Sequence, residues 1–146
     1  MKYLIIHGPN LNWLGKRDPA VYGSLTLTDI NGLISKRAKD LDVEVECFQS
    51  NGEGAIIDWI QANGAGADGI IINPGAYGHY AYAIHDVLVD ANCPVAEVHL
   101  SNVFAREEWR RTSVISPIAR GVVSGFGWRG SVSALEMLVA LAREKD

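Results

Sequence analysis

Short apolar runs alternate with helical patterns along the whole chain, which is typical of an α/β domain with a parallel sheet. The run at 69–73 is continuously apolar up to Asn73, as expected for a central strand. The run at 43–48 alternates apolar and polar side chains, as expected nearer an edge. The predicted strands are residues 2–7, 43–48, 69–73, 95–100 and 121–125.

Helices are predicted between these strands. Thr28 is the expected N-cap of the first, whose apolar positions at Ile30, Ile34 and Ala38 share one face. Further helices are expected at 55–62, 80–90 and 131–145, with a short charged helix or turn at 106–111. We therefore expect an α/β, flavodoxin-like three-layer sandwich with a parallel sheet of order 2-1-3-4-5. In such sheets, ligands bind at the carboxyl ends of the strands.

Composition limits the classes of protein that remain. The chain has 146 residues and a formal net charge of −4, which predicts one domain over 1–146 and disfavours nucleic-acid binding. Its 48% hydrophobic content excludes disorder, and no apolar run approaches the roughly 18 residues that span a membrane. No signal peptide is expected. Cys47 and Cys93 lack a CxxC partner, which favours reduced thiols and a cytoplasmic protein.

Polar residues are concentrated in the loops after the first, third and fourth strands, where the predicted strand order places ligand binding. The first loop, residues 8–24, is longer than the usual connection of about 2–6 residues, which predicts an active-site lid near 11–24. Together the loops could bind a polar, anionic small molecule and move protons on it. The candidates are Asn10, Arg17, Tyr22, Asn73, His79, Glu97, His99, Ser101, Arg106 and Arg110.

Each candidate also has an ordinary structural explanation when it is taken singly. Tyr22 could pack, Arg17 could be a solvated charge, and His99 could be a satisfied core histidine. Asn10 and Asn73 could close turns. Only the combination of these residues indicates catalysis.

Metal and dinucleotide sites are both disfavoured. The glycines at 125, 127 and 130 form a GxGxxG pattern, but only 16 residues follow, too few for a dinucleotide-binding unit. A tight turn with close helix–strand packing is expected there instead. Suitable metal ligands are present, but HExxH spacing and cysteine clusters are absent, so no metal is expected. Those ligands are His79, Asp86, Glu97 and His99.

Several motifs, taken together and in order, resemble the type II 3-dehydroquinate dehydratase family. They are residues 8–12 (GPNLN), 15–19 (GKRDP) with Tyr22-Gly23, 48–51 (FQSN), 72–77 (INPGAY), 97–102 (EVHLSN) and 106–110 (REEWR). The resemblance implies a flavodoxin-like subunit and cofactor-free dehydration of 3-dehydroquinate to 3-dehydroshikimate, a trans-elimination through an enolate. It also implies a homododecamer, built as a tetramer of trimers, acting in the shikimate pathway or in quinate breakdown.

The resemblance also implies roles for individual residues. Tyr22 would be the base, with Arg17 lowering the pKa of its phenol from about 10, and His99 the general acid, oriented by Glu97. Asn10 would stabilise the enolate. The remaining substrate contacts would come from Leu100 and Ser101 at the carboxylate, Asn73, His79 and Arg110 at the ring hydroxyls, and Asp86 of a neighbouring subunit.

This chain departs from the family pattern in two places. Residues 78–81 read Gly-His-Tyr-Ala where Thr-His-Thr-Ser is usual, and Trp13 replaces a smaller side chain beside the lid. Two other functions remain open. Lys16 could form a Schiff base with a ketone, or the protein could be a flavodoxin-like binding protein for an acidic metabolite, without catalysis.

Overall fold

The five predicted strands form one parallel sheet in the order β2-β1-β3-β4-β5, as predicted. The computed structural model describes residues 1–16, 18–22 and 24–145, and only the backbone of Tyr22. The continuously apolar β3 lies at the centre of the sheet and the alternating β2 at one edge. The strands are β1 Lys2–His7, β2 Glu44–Gln49, β3 Gly69–Asn73, β4 Val95–His99 and β5 Gly121–Ser124.

Helices cover both faces of the sheet and divide the core in two. On one face, α2 and α5 pack on side chains such as Ile5, Ile71 and Val98. On the other, α3 and α4 pack on Ile6 and Ile72. The helices are α1 Pro19–Tyr22, α2 Leu27–Asp40, α3 Glu53–Asn63, α4 Tyr82–Asp90 and α5 Arg129–Glu144. Short 3-10 turns lie at Leu11–Trp13, Gly75–His79, Val103–Ala105, Glu108–Arg111 and Ser116–Ile118.

Several helix starts differ from the prediction. The N-cap of α2 is Thr26, so the expected cap at Thr28 is wrong. Thr26 Oγ1 accepts a hydrogen bond from the Asp29 N–H at 3.2 Å, and the Asp29 carboxylate accepts one from the Thr26 N–H at 3.0 Å. This reciprocal pair fixes the start two residues earlier. α4 begins at Tyr82, since the preceding residues form the 3-10 turn that ends at His79.

The glycines at 125, 127 and 130, around the junction of β5 and α5, have the structural role that was predicted. Gly125 and Gly127 adopt positive φ angles of 100° and 59°, which favour glycine. A Cβ atom at Gly130 would lie 3.3 Å from Val123 Cγ1 on β5. The pattern therefore makes a tight turn and brings the helix close to the sheet.

Candidate active site

A cleft opens at the carboxyl ends of β1, β3 and β4, where the strand order predicts ligand binding. It encloses about 580 Å³ of empty space, partly continuous with solvent, within the range for small-molecule sites. Its lining residues are Pro9, Asn10, Leu11, Asn73, Gly75, Ala76, His79, His99, Leu100, Ser101, Val103, Arg106 and Arg110. The structure thus brings together most of the predicted candidates from three separate loops.

The loops after β1 and β3 are joined where they leave the sheet. The Gly8 N–H donates to the Asn73 carbonyl at 2.7 Å, and a Cβ atom at Gly8 would lie 2.5 Å from the Pro74 oxygen. Asn73 Oδ1 accepts from the Gly75 N–H at 3.1 Å. Asn10 has a φ of 68°, and its N–H donates to an asparagine side chain 2.9 Å away. Asn10 and Asn73 therefore shape turns and line the cleft.

Glu97 and His99 form a buried hydrogen-bonded pair at the end of β4, which we call the acid pair. His99 Nε2 lies 2.5 Å from Glu97 Oε2, and the two residues are 8% and 2% exposed. Their shared face of the strand was predicted from the alternation. Glu97 Oε1 accepts hydrogen bonds from the hydroxyls of Ser113 and Ser116, both at 2.7 Å.

Hydrogen bonding outweighs burial at Glu97. Burial alone raises the pKa of this carboxyl, but the hydrogen bonds of His99, Ser116 and Ser113, with the charge of His99, bring it below its ordinary value. Sequence reasoning missed both serines. Ser113 lies in the irregular segment after the 3-10 turn at Glu108–Arg111, and Ser116 begins the next 3-10 turn. No sequence spacing signals that this part of the chain returns to β4.

Aromatic and backbone contacts fix the two basic residues on the opposite wall. His79 donates from Nδ1 to the Thr112 carbonyl at 2.7 Å, so Nε2 remains available to a ligand. The Trp109 ring meets the His79 ring edge to face at 5.2 Å. The Arg110 guanidinium lies over the same indole, 4.1 Å from its centroid, and pairs with Glu107.

Arg106, a predicted candidate that was assigned no individual role, adds a second cation to the cleft. Its Nη1 donates to Ser101 Oγ at 3.1 Å. The signal was available, since Arg106 opens the last motif of the resemblance. The loop that carries Ser101 is tied to β5, because Ser124 Oγ donates to the Ser101 carbonyl at 3.0 Å. Two arginines beside a histidine suit an anionic substrate on which a proton is moved.

Three other predicted site residues are not among those that line the described cleft, two of them because the structure does not describe their side chains. Arg17 and the side chain of Tyr22 are outside the described residues, so their roles stay predictions. Asp86 lies on α4, outside the residues that line the cleft, with its side chain 76% exposed and hydrogen-bonded to His85 at 3.0 Å. Its contribution to a neighbouring subunit also stays a prediction. Lys16 is exposed, with its amine 5.4 Å from the Trp13 ring centroid, which is not the dry setting that a Schiff-base lysine needs.

The residues that depart from the family pattern lie around the cleft. A Cβ atom at Gly78 would lie 2.6 Å from Pro74 Cγ, so glycine leaves room for that proline. The Tyr80 ring is exposed, and Ala81 caps α4 without a side-chain hydrogen bond. Trp13 is 57% exposed on the turn that follows Asn10.

Within residues 1–16, 18–22 and 24–145, no three His, Cys, Asp or Glu side chains are grouped so that they could hold a metal ion. Over those same ranges, every helix is too short or too polar to cross a membrane.

Comparison with known proteins decides the family. A model of the family described as dehydroquinase class II matches residues 1–139. The chain belongs to the class II dehydroquinases. It is 55% identical to the 3-dehydroquinate dehydratase of Roseiflexus castenholzii, over 95% of this chain and 88% of that protein. Identity with the 3-dehydroquinate dehydratase of Dictyoglomus turgidum is 51%, over 94% and 95% of the two chains.

A solved structure shows that the shared fold extends over nearly the whole class II dehydroquinase chain. The type II dehydroquinase from Butyrivibrio crossotus superposes with a TM-score of 0.92 at 48% identity. The match covers 94% of this chain and 97% of that one. The family resemblance and the fold that it implied are thus confirmed.

Proposed function

We infer that this class II dehydroquinase is a lyase that dehydrates 3-dehydroquinate to 3-dehydroshikimate. One observation carries the inference: the acid pair and two arginines share a single cleft, in a chain whose relatives are named 3-dehydroquinate dehydratase. The substrate is a carboxylate with a ketone and ring hydroxyls. Cations, a proton donor and amide groups are what its recognition and dehydration require.

We propose that the proton leaves the carbon beside the ketone for Tyr22, whose phenolate the Arg17 guanidinium stabilises. The electron pair forms an enolate, which Asn10 stabilises directly or through water. The C–O bond to the hydroxyl then breaks, and His99 gives that oxygen a proton, so water leaves. Glu97 holds the opposite ring nitrogen of His99. Carbon loses one proton and one hydroxyl, and no electron is exchanged with a cofactor.

We propose that the carboxylate of the substrate is held by the backbone N–H groups of Leu100 and Ser101 with the Ser101 hydroxyl. All three groups belong to the loop that follows β4. Asn73, His79 and Arg110 hold the ring hydroxyls, and the available Nε2 of His79 supports this assignment. The lid near 11–24 closes over the bound substrate and excludes water.

We propose that the chain assembles as a homododecamer, a tetramer of trimers, in which Asp86 reaches the cleft of a neighbouring subunit. The exposed carboxylate of Asp86 supports this, since it has no place in the cleft of its own subunit. The reaction belongs to the shikimate pathway or to quinate breakdown. We place it in the cytoplasm, in keeping with the free Cys47 and Cys93.

The reaction is tested by the ultraviolet absorbance of the conjugated enone after 3-dehydroquinate is added to chelator-treated protein. A steady rise without metal or nucleotide is expected. Tyr22→Phe should lower kcat by orders of magnitude, whereas Tyr3→Phe, which removes a hydroxyl at the opposite end of β1, should not. No rise from folded protein that binds the substrate would instead establish the binding-protein function.

The role of Arg17 is tested by the pH profile. Arg17→Ala should move the acidic limb of kcat to higher pH, because the base would lose its cation. Lys16→Ala is the matched control, since it removes a cation from the same loop. An unchanged acidic limb in Arg17→Ala would show that this arginine does not activate the base. Loss of activity in Lys16→Ala, together with borohydride trapping of substrate on the parent protein but not on this variant, would revive the Schiff-base mechanism.

A further inference from the structure

Three hydrogen-bond donors converge on the Glu97 carboxylate, and two of them come from outside the acid pair. Ser113 and Ser116, which we call the serine pair, both donate to Oε1, while His99 lies at Oε2. We propose that the serine pair positions the proton donor: its hydroxyls keep the Glu97 carboxylate ionised and fixed, and so set how readily His99 releases its proton. This proposal rests on the proposed function of His99 as the acid.

The hydroxyl of Ser113 is committed to this role by its own partners. Its oxygen accepts hydrogen bonds from the backbone N–H groups of Ile115, at 3.1 Å, and Ser116, at 2.9 Å. These two bonds occupy the lone pairs, so the single hydroxyl hydrogen must point to Glu97. The chain turn that begins at Ser113 therefore aims a donor at the carboxylate before any substrate arrives.

The donor set also determines the protonation of the acid pair. Both serine hydroxyls donate to Oε1, and a proton on Oε2 would face the nitrogen of His99. The arrangement is best satisfied with an ionised carboxylate and a proton on Nε2 of His99. The lowered pKa of Glu97 agrees with this geometry. Nδ1 of His99 is then the atom that carries the transferable proton.

The other groups near the acid pair do not replace the serine pair. β3 and β5 place Ile72 and Val122 beside Glu97. On the same face of the sheet, α4 presents apolar side chains to the core. The charged or titratable groups that face the acid pair are His79, from the turn after β3, and Arg106 and Arg110, from the loop after β4. Their hydrogen bonds run to other groups: His79 to Thr112, Arg106 to Ser101 and Arg110 to Glu107.

Removal of the hydroxyls should make the acid pair hold its proton more strongly. When the pair loses that proton, the imidazolium beside Glu97 becomes neutral. The negative charge of the Glu97 carboxylate is then stabilised mainly by the hydrogen bonds of the serine pair. A hydrogen bond to a charged group contributes about 1.5–3 kcal/mol, and part of this free energy stabilises the deprotonated form of the acid pair relative to the protonated form. The pair should therefore deprotonate at higher pH, and the donor should be weaker.

The experiment compares Ser113→Ala, Ser116→Ala and the double variant with Ser131→Ala, which removes a buried hydroxyl in α5. The alkaline limb of kcat should move up by about 0.5–1 pH unit in the double variant. We expect kcat to fall about threefold to thirtyfold while KM stays within about twofold, because the serine pair does not line the cleft. Ser131→Ala should match the parent, and Ser116→Thr should restore the profile.

A second measurement separates this proposal from the proposed function. Nitrogen-15 NMR of the histidine rings, on protein without substrate, follows the titration of the acid pair in the absence of turnover. The titration midpoint should rise in the variants. An unchanged midpoint in any folded variant would overturn the proposal, and the single variants serve if the double variant does not fold. A raised midpoint with an unmoved alkaline limb would support the serine pair and contradict the role of His99 as the acid.

Discussion

Glu97→Gln tests the acid most directly, because it keeps the shape of the side chain and removes its charge. The carboxylate accepts hydrogen bonds at 2.5, 2.7 and 2.7 Å, but the amide has one oxygen. If that oxygen faces Ser113 and Ser116, the amide nitrogen must donate to Nε2 of His99. The imidazole is then neutral with its hydrogen on Nδ1, which is a far weaker acid.

General acid–base catalysis contributes about 10²- to 10⁴-fold, so we expect Glu97→Gln to lower kcat by that factor. KM should change little, because Glu97 is buried behind His99 and does not line the cleft. The variant should still fold. Each charge-assisted hydrogen bond that is lost contributes about 1.5–3 kcal/mol, but this loss is largely offset because a charge no longer has to be buried.

The assay is enone absorbance across the pH range, with thermal unfolding followed by circular dichroism. Glu46→Gln is the control, since it makes the same change at an exposed ion pair with Lys2. Folded Glu97→Gln protein with kcat within about threefold of the parent would refute the reasoning.

Three further perturbations test other parts of the structure. Trp109→Ala removes the ring that contacts both His79 and Arg110, so KM should rise about tenfold, or about 1.4 kcal/mol, with kcat largely kept; an unchanged KM contradicts this. Burial lowers the pKa of His7, so protons bind preferentially to the unfolded chain below about pH 6.5. As the pH is lowered, the free energy of unfolding measured with urea should therefore fall more steeply in the parent than in His7→Gln. Equal slopes in the two proteins would contradict this expectation. Ala81→Ser supplies the missing cap of α4 and should add about 1 kcal/mol, seen as a higher Tm in calorimetry.

The hydrophobic pattern predicted most of the fold, because the burial of a strand determines which of its positions are apolar. A strand covered on both faces is apolar along most of its length, as β3 is from Gly69 to Ile72, and the alternating β2 is at an edge. The pattern could not place the start of α2, because Thr26 and Thr28 are both suitable N-cap residues. Only the reciprocal hydrogen bonds with Asp29 select Thr26.

The candidate site was predictable where its residues lie at the carboxyl end of a strand. Glu97 and His99 share a face because side chains alternate along β4. Ser113 and Ser116 were not predictable, since their contact with Glu97 depends on the path of an irregular segment. Trp109 was missed for a similar reason: its contacts with two cleft residues depend on a short 3-10 turn.

The order of the strands has a consequence for how activity arises as the chain folds. β1, β3 and β4 are neighbours in the sheet, but β4 follows β1, β2 and β3 in the chain, and only β5 lies beyond it at the edge. A chain that has formed only β1, β2, β3 and α3 already contains the stacked rings of Phe48 and Trp59, 4.8 Å apart, yet it has no proton donor. Tryptophan fluorescence can therefore recover in a half-assembled molecule, whereas turnover returns only with the finished sheet.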